Sequence, residues 1–130
     1  MKRKSSLFVV LFFFVNLAFS QVDSLKSILV NCSTDSCYTE TYLLIAKSFL
    51  NKNKDSALYY IDKTSPYTQR YVRGKASAKN LRATIEFKKG NYEKSRGFFL
   101  EALEIAKNEQ DTLMISAYLN NAGLTHTYQG

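Results

Sequence analysis

Proline and glycine are scarce in this chain of 130 residues, which contains one Pro and five Gly. So few residues of these types exclude a collagen-like repeat and a low-complexity disordered chain, which are rich in them. The rest of the composition, with 45% hydrophobic and 22% charged residues, is that of an ordinary globular protein. We therefore expect a single folded domain.

Histidine occurs once and cysteine twice, and no glycine-rich phosphate-binding motif is present. A cysteine nucleophile would need His126 as its base, but His126 falls on an apolar stripe with Ile115, Leu119 and Ala122, where we expect it to pack. Zinc needs three or four ligands, and two Cys with one distant His do not supply them. The sequence thus predicts no enzyme activity, no metal and no cofactor.

A strong charge excess is also missing. Lys and Arg exceed Asp and Glu by 18 to 11, but three of these cations are Lys2, Arg3 and Lys4 at the extreme N-terminus. The excess in the rest of the chain is too small to indicate a nucleic-acid partner.

Residues 1–20 have the three-part pattern of a secretory signal peptide, with a basic start, an apolar run from Leu7 to Phe19, and the small residues Ala18 and Ser20 before Gln21. As a helix this run reaches about 20 Å, short of the roughly 30 Å core of a bilayer. We expect cleavage before Gln21, a mature chain without a membrane span, and a periplasmic or secreted location. An uncleaved anchor is the alternative.

Helical periodicity dominates the remaining chain, and the two-residue alternation of half-buried strands is absent, so the predicted fold class is all-α. Pro66 is expected to end one helix, Gly90 to provide a left-handed stop, and Asn91 to cap the next helix. The predicted domains are 1–20, the signal peptide; 21–38, a short helix and a loop with both cysteines; and 39–130, helical repeats. Within these, helices are predicted at 22–30, from Thr39 to the NKNK at 51–54, at 55–63, at 67–89, from 92 to about 107, and from about Asp111 to the end.

Two predicted helices have apolar residues on two sides, which places each of them between neighbours. In the helix at 67–89 one stripe is Tyr67, Tyr71, Ala78, Leu81 and Ile85, and the other is Val72, Ala76, Ala83 and Phe87. In the last helix the stripes are Leu113, Ala117, Leu124 and Tyr128, and Ile115, Leu119, Ala122 and His126. The helix after Gly90 has one main face, with small residues at Ser95, Ala102 and Ala106 that permit close helix packing.

The segment NLRATIEFKKGNYEKSRGFFLEALEIAK resembles a tetratricopeptide repeat (TPR). The family pattern has a small residue in the first helix, Gly-Asn-Tyr at the turn, and small, aromatic and Ala positions in the second helix. The matching residues are Ala83, Gly90, Asn91, Tyr92, Ser95, Phe99 and Ala102. NNAGLTHTYQG is similar to the start of a following, incomplete repeat with Gly123 and Gly130, and a degenerate unit covers 39–65. The resemblance therefore spans residues 39–130.

This resemblance implies a stack of antiparallel helix pairs in a short TPR-like solenoid, which binds a protein or peptide and has no chemistry of its own. An exported leader followed by such repeats also resembles the sensory N-terminal part of bacterial histidine kinases and membrane-bound transcription regulators. The alternative function is thus the truncated periplasmic sensor region of such a protein.

Lys75, Lys79 and Arg82 fall at successive turns of one helix, between its two apolar stripes. If this strip lines a binding groove, its ligand is an acidic segment or a terminal carboxylate, since both cation types form charge-assisted hydrogen bonds to carboxylates. Asn121 from the last helix is expected to add an amide contact. An ordinary solvated face is the alternative.

Two further expectations concern the ends of the helical region. An oxidising compartment favours a disulfide between Cys32 and Cys37, with free thiols as the alternative. The stripe of Ile115, Leu119, Ala122 and His126 has no predicted helix to cover it, so self-association through the last helix is expected.

Overall fold

The computed structural model describes residues 21–129. In that range the regular secondary structure consists of helices, with no strand. The all-α class predicted from the sequence is confirmed for this part of the chain. The predicted signal peptide lies outside it. The helices are α1 at residues 21–31, where the described part begins, then α2 (Asp35–Phe49), α3 (Lys54–Asp62), α4 (Val72–Lys88), α5 (Tyr92–Asn108) and α6 (Thr112–Gln129).

None of the helices among the described residues combines the length and the apolar character needed to cross a lipid bilayer.

Three helices begin at a side chain that accepts a backbone hydrogen bond from the first turn, which satisfies a donor without an intrahelical partner. Thr34 Oγ1 accepts from Cys37 N at 3.2 Å, Asn53 Oδ1 from Ser56 N at 2.9 Å, and Asp111 Oδ1 from Met114 N at 3.1 Å. The cap at Thr34 starts α2 at Asp35, so the prediction of a start near Thr39, with a loop up to residue 38, was wrong.

The start of α4 also differs from the prediction, because residues 63–70 form consecutive turns and the helix begins at Val72 rather than Tyr67. Tyr67 therefore does not belong to the stripe of α4. Its ring stacks on Tyr38 of α2 at a centroid distance of 4.5 Å and also lies 6.2 Å from the ring of Tyr42. This aromatic contact holds the turn segment against α2.

The connection between α4 and α5 is closed by Gly90, whose φ of +82° confirms the predicted left-handed stop. Asn91 follows at the N-cap position, but its side chain makes no capping bond. Asn91 Nδ2 instead donates to Glu86 Oε2 at 2.8 Å, so the predicted capping role was wrong. The charge-assisted hydrogen bond from Nδ2 to the buried Glu86 carboxylate turns the side-chain amide towards α4, so that Oδ1 does not accept from the first turn of α5.

Helix α4 lies at the centre of the molecule, as its two apolar stripes predicted, and contacts α2, α3 and α5. Leu81 and Ile85 belong to a core cluster with residues of α2 and α3, namely Leu43, Ala46, Ala57 and Ile61. Ala76 belongs to a second cluster with residues of α5 and α6, namely Ala102, Leu103, Ala106, Met114 and Tyr118. Helices that follow one another along the chain therefore also pack beside one another, in successive layers.

Small residues occupy the places where the layers meet. Ser95 is fully buried, and its hydroxyl donates to the carbonyl of Ala83 across the α4–α5 contact at 2.8 Å. At Gly74 a side chain has no room, because an added Cβ would lie 2.6 Å from Cγ2 of Thr39 in α2. The helices therefore approach each other where the side chains are shortest.

The buried face of α6 was predicted wrongly. Its buried residues are Met114, Tyr118 and Thr125. The two predicted stripes flank this line of buried residues, one on each side. Four of their large side chains reach the surface: Leu113 is 78% exposed, Leu119 51%, Leu124 49% and Tyr128 62%. His126 is also exposed, so its predicted packing role was wrong. Because α6 is apolar around most of its circumference, periodicity could not identify the face that α4 and α5 cover.

Candidate functional site

Three of the four predicted binding residues lie together in one groove. Lys75, Lys79 and Arg82 line it from α4, and Phe98 lines it from α5. The end of α3 and the turn segment after it supply the remaining wall, through Ile61, Asp62, Thr64, Ser65 and Thr68. We refer to this depression, with a volume of about 410 Å³, as the basic groove.

The local sequence explains why the three cations point the same way. Positions 75, 79 and 82 are separated by four and three residues, which places them on one face of an α-helix. Ala78, on the same side of α4, is small and leaves space beside them. Two hydroxyl groups fix the opposite wall: Thr64 Oγ1 donates to the carbonyl of Ile61 at 2.6 Å, and Thr68 Oγ1 donates to that of Ser65 at 3.3 Å.

Phe98 is the aromatic centre of the groove. Lys79 Nζ lies 5.3 Å from the centroid of its ring, and Arg82 Cζ lies 5.9 Å from it. Both distances are within the range of cation–π attraction. The ring therefore holds two positive groups close together, although they would otherwise repel each other.

Each of these two cations also has a carboxylate partner within the chain. Lys79 Nζ lies 2.5 Å from Glu101 Oε2 of α5, and Arg82 donates to Asp62 Oδ1 at the end of α3. Lys75 is exposed and has no carboxylate within ion-pair distance among residues 21–129. The groove therefore has three cations against two carboxylates, and its free positive charge is on Lys75.

Asn121 does not join this groove, contrary to the prediction. Its Nδ2 donates to Oδ1 of Asn80 at 2.9 Å, across the contact between α6 and α4. Asn80 is five residues after Lys75, which places it about 140° around α4 from Lys75. Asn121 instead lines a separate cavity of about 130 Å³ together with Thr84, Phe87, Phe99 and Leu124.

The start of α4 has polar contacts of its own, made by residues that do not line the groove. Tyr71 donates to Glu40 Oε1 at 2.7 Å, and Arg73 Nε lies 3.6 Å from Asp111 Oδ2. Burial and this hydrogen bond to Glu40 raise the pKa of Tyr71 to about 12, so the phenol stays protonated at neutral pH. These contacts join α2, α4 and α6. None of the residues that make them was among the predicted binding residues.

Glu86 is a buried carboxylate, with 4% of its surface exposed. The hydrogen bond from Asn91 lowers its pKa most; burial acts in the opposite direction, and Lys94, whose Nζ lies 3.4 Å from Oε1, adds to the lowering. Glu86 is therefore an anion that fastens the turn between α4 and α5. It lies one turn beyond Arg82 and acts as a support of the fold at the end of the groove.

The groove offers charge and an aromatic surface. Its lining contains no Cys or His. Cys32 and Cys37 are joined in a disulfide, with an S–S distance of 2.02 Å, between the end of α1 and the first turn of α2. In the part of the chain that the structure describes, no three His, Cys, Asp or Glu side chains are close enough to hold a metal ion. The arrangement is suited to binding anions.

Sequence reasoning did not identify the partners that shape the groove. No role in the groove was assigned to Phe98, Asp62 or Glu101. No local pattern connects these residues, because they come from α3 and α5 and meet α4 only after the helices pack.

No protein-family model, curated protein or solved structure matches this chain. The likeness of residues 39–130 to tetratricopeptide repeats is therefore a resemblance in a few turn and helix positions. The function is inferred from the geometry of the basic groove.

Proposed function

We propose that this chain is an exported helical-repeat scaffold that binds an acidic segment of a protein or peptide in the basic groove. The observation that carries the proposal is the convergence of Lys75, Lys79 and Arg82 beside the exposed part of Phe98. The leader pattern of residues 1–20 supports the exported location. The scaffold contributes shape and charge and carries out no reaction.

The packing supports a TPR-like stack. Short connections of the type found at residues 50–53 and 89–91 join helices that pack side by side, which gives the pairs α2–α3 and α4–α5. Helix α4 contacts both members of the preceding pair, and α6 packs on α5 as the first helix of a further layer. In such an arrangement each unit buries its apolar face against its neighbours.

The groove favours an acidic ligand because its three cations lie at the surface of the protein. The side chains of Lys79 and Arg82 are 31% and 28% exposed, and Lys75 is more open. A carboxylate of the ligand can therefore form charge-assisted hydrogen bonds without full burial. Binding of this kind weakens as salt is added, because exposed charges are screened within about 8 Å at physiological ionic strength.

A peptide titration tests the proposal. Fluorescence anisotropy is measured with a labelled peptide rich in Glu and with the same peptide carrying Gln at every Glu position. We expect the acidic peptide to bind more tightly, with an affinity that falls as the salt concentration rises. Equal binding of the two peptides would show that the basic groove does not select for acidic segments.

Charge reversal locates the binding surface. The Lys79→Glu/Arg82→Glu variant should lose affinity for the acidic peptide while its circular dichroism stays that of a helical protein. Lys52→Glu/Lys107→Glu is the matched control, because it changes the net charge equally at exposed positions outside the groove. If both variants lose affinity to the same degree, the attraction comes from the overall charge and the groove is not the site.

A further inference from the structure

The two cations beside Phe98 are already occupied by carboxylates of the chain itself. Glu101 is bound to Lys79 and Asp62 to Arg82. In each pair the acid is the more exposed partner: the side chains of Glu101 and Asp62 are 52% and 65% exposed, against 31% and 28% for the cations. The cations are thus held against Phe98, whereas the acids come from neighbouring helices and reach the groove from solvent.

We infer that Asp62 and Glu101 occupy, in the free protein, the positions that two carboxylates of the ligand take in the complex. The ligand is then an acidic segment with at least two carboxylates, one for each cation on either side of Phe98. This inference deepens the proposed function and rests on it. The basic strip by itself is compatible with two ligand classes, an acidic segment and a terminal carboxylate. The inference selects the acidic segment, since a lone terminal carboxylate can replace only one of the two acids.

Exchange of the carboxylates is energetically easy. An ion pair between surface side chains contributes little to stability, because water solvates both charges well when they separate. The two released acids can turn into solvent, where they are already more than half exposed. The aromatic ring keeps both cations in place during the exchange, since its attraction does not depend on the carboxylates.

Lys75 adds a third point of attraction that needs no exchange. It lines the groove one turn before Lys79 and has no carboxylate partner among the residues that the structure describes. A ligand carboxylate can meet it first and bring the following carboxylates near Lys79 and Arg82. Removal of the internal acids should therefore increase affinity without creating a new site.

Neutralising the internal acids tests the inference. The variants are Asp62→Asn, Glu101→Gln and the double variant, each titrated with a peptide containing two Glu and with a peptide containing one. Each single variant should bind the two-Glu peptide about two- to fivefold more tightly than the unaltered protein, which is the fold-change that one exposed ion pair allows. The double variant should gain about the product of the two factors for the two-Glu peptide, and less for the one-Glu peptide.

Matched controls separate a local from a general effect of charge. Asp55→Asn/Glu104→Gln removes the same two charges from the same two helices, outside the groove. This variant should bind like the unaltered protein. An equal gain in both double variants would overturn the inference in favour of a general loss of repulsion.

The opposite result is also informative. If the two ion pairs serve only to fasten α3 and α5 to α4, neutralising them lowers the melting temperature and leaves binding of the two-Glu peptide unchanged or weaker. That outcome overturns the inference while leaving the proposed function intact. If no variant, nor the unaltered protein, distinguishes the two-Glu peptide from its Gln counterpart, the proposed function itself fails. The single variant Glu101→Gln gives the same decision if the double variant does not fold.

Discussion

The contact between α2 and α4 brings successive helix pairs together, and Gly74 is the residue through which it can be tested. A Cβ at this position would lie 2.3 Å from Cδ1 of Tyr71 and 2.6 Å from Cγ2 of Thr39. Both distances are far below van der Waals contact. The Gly74→Ala substitution therefore has to displace both the ring of Tyr71 and the Thr39 side chain of α2.

The magnitude follows from three opposing contributions. Alanine favours a helix interior over glycine by about 1 kcal/mol, which stabilises the folded state. Overpacking at a closed contact costs about 1 to 3 kcal/mol. Displacing the Tyr71 ring also weakens its 2.7 Å hydrogen bond to Glu40, worth about 1 kcal/mol for a partly exposed pair. We expect a net loss of about 1 to 3 kcal/mol in the free energy of unfolding.

Urea unfolding followed by far-UV circular dichroism measures this change, with Gly97→Ala as the matched control. Gly97 is an exposed glycine within α5, and an added Cβ there would meet nothing within 4 Å. The control should therefore gain about 0.5 to 1 kcal/mol from helix propensity alone. If Gly74→Ala stabilises the protein as much as Gly97→Ala does, α2 does not approach α4 closely, and the close packing of these two helices is refuted.

Three further predictions concern the turn, the leader and the last helix. Folding lowers the pKa of Glu86 below its ordinary value of 4.5, so the ionised Glu86 side chain stabilises the protein fully above pH 4.5. This stabilisation is lost as the pH falls through the pKa that Glu86 has in the folded protein. The Glu86→Gln variant should therefore show a smaller decrease in melting temperature on acidification than the unaltered protein. Intact-mass measurement of the exported protein should give a chain that starts at Gln21 and gains two hydrogens on reduction, whereas a chain still starting at Met1, or thiols that react without reductant, would contradict the prediction. Because Leu113 and Leu119 are exposed on α6, sedimentation should show self-association that the Leu113→Gln/Leu119→Gln variant reduces, and a monomeric unaltered chain at high concentration would contradict it.

The predictions that the structure confirms depend on residues that are close together in the sequence. Gly90 ends its helix with positive φ because the residue itself makes that conformation accessible. The two apolar sides of the helix containing Leu81 and Ala76 predicted a central position, since both sides must be covered by neighbours. The spacing of Lys75, Lys79 and Arg82 placed them on one face, which depends only on the geometry of the helix.

Residues whose environment depends on distant helices were not predictable in this way. The turns continue through residues 67–70, where a helix was expected, since Tyr67 stacks on the α2 residue Tyr38, which lies nearly thirty positions earlier in the chain. Asn121 contacts Asn80 because α6, packed on α5, also reaches α4 at this residue. In both cases the preferred partner is chosen by packing and has no signal in the neighbouring sequence.

The sequence by itself determined that the chain forms helices, that Gly90 ends one of them, and which cations share a helix face. Each of these features depends on contacts within a few residues. Only the tertiary structure decided which face of α6 is buried, since that helix offers apolar residues on several sides and the choice depends on the fit to α4 and α5. It also decided that Asp62 and Glu101 meet Arg82 and Lys79 beside Phe98. Charges from three helices come within bonding distance only when the hydrophobic contacts between the layers have brought the helices together.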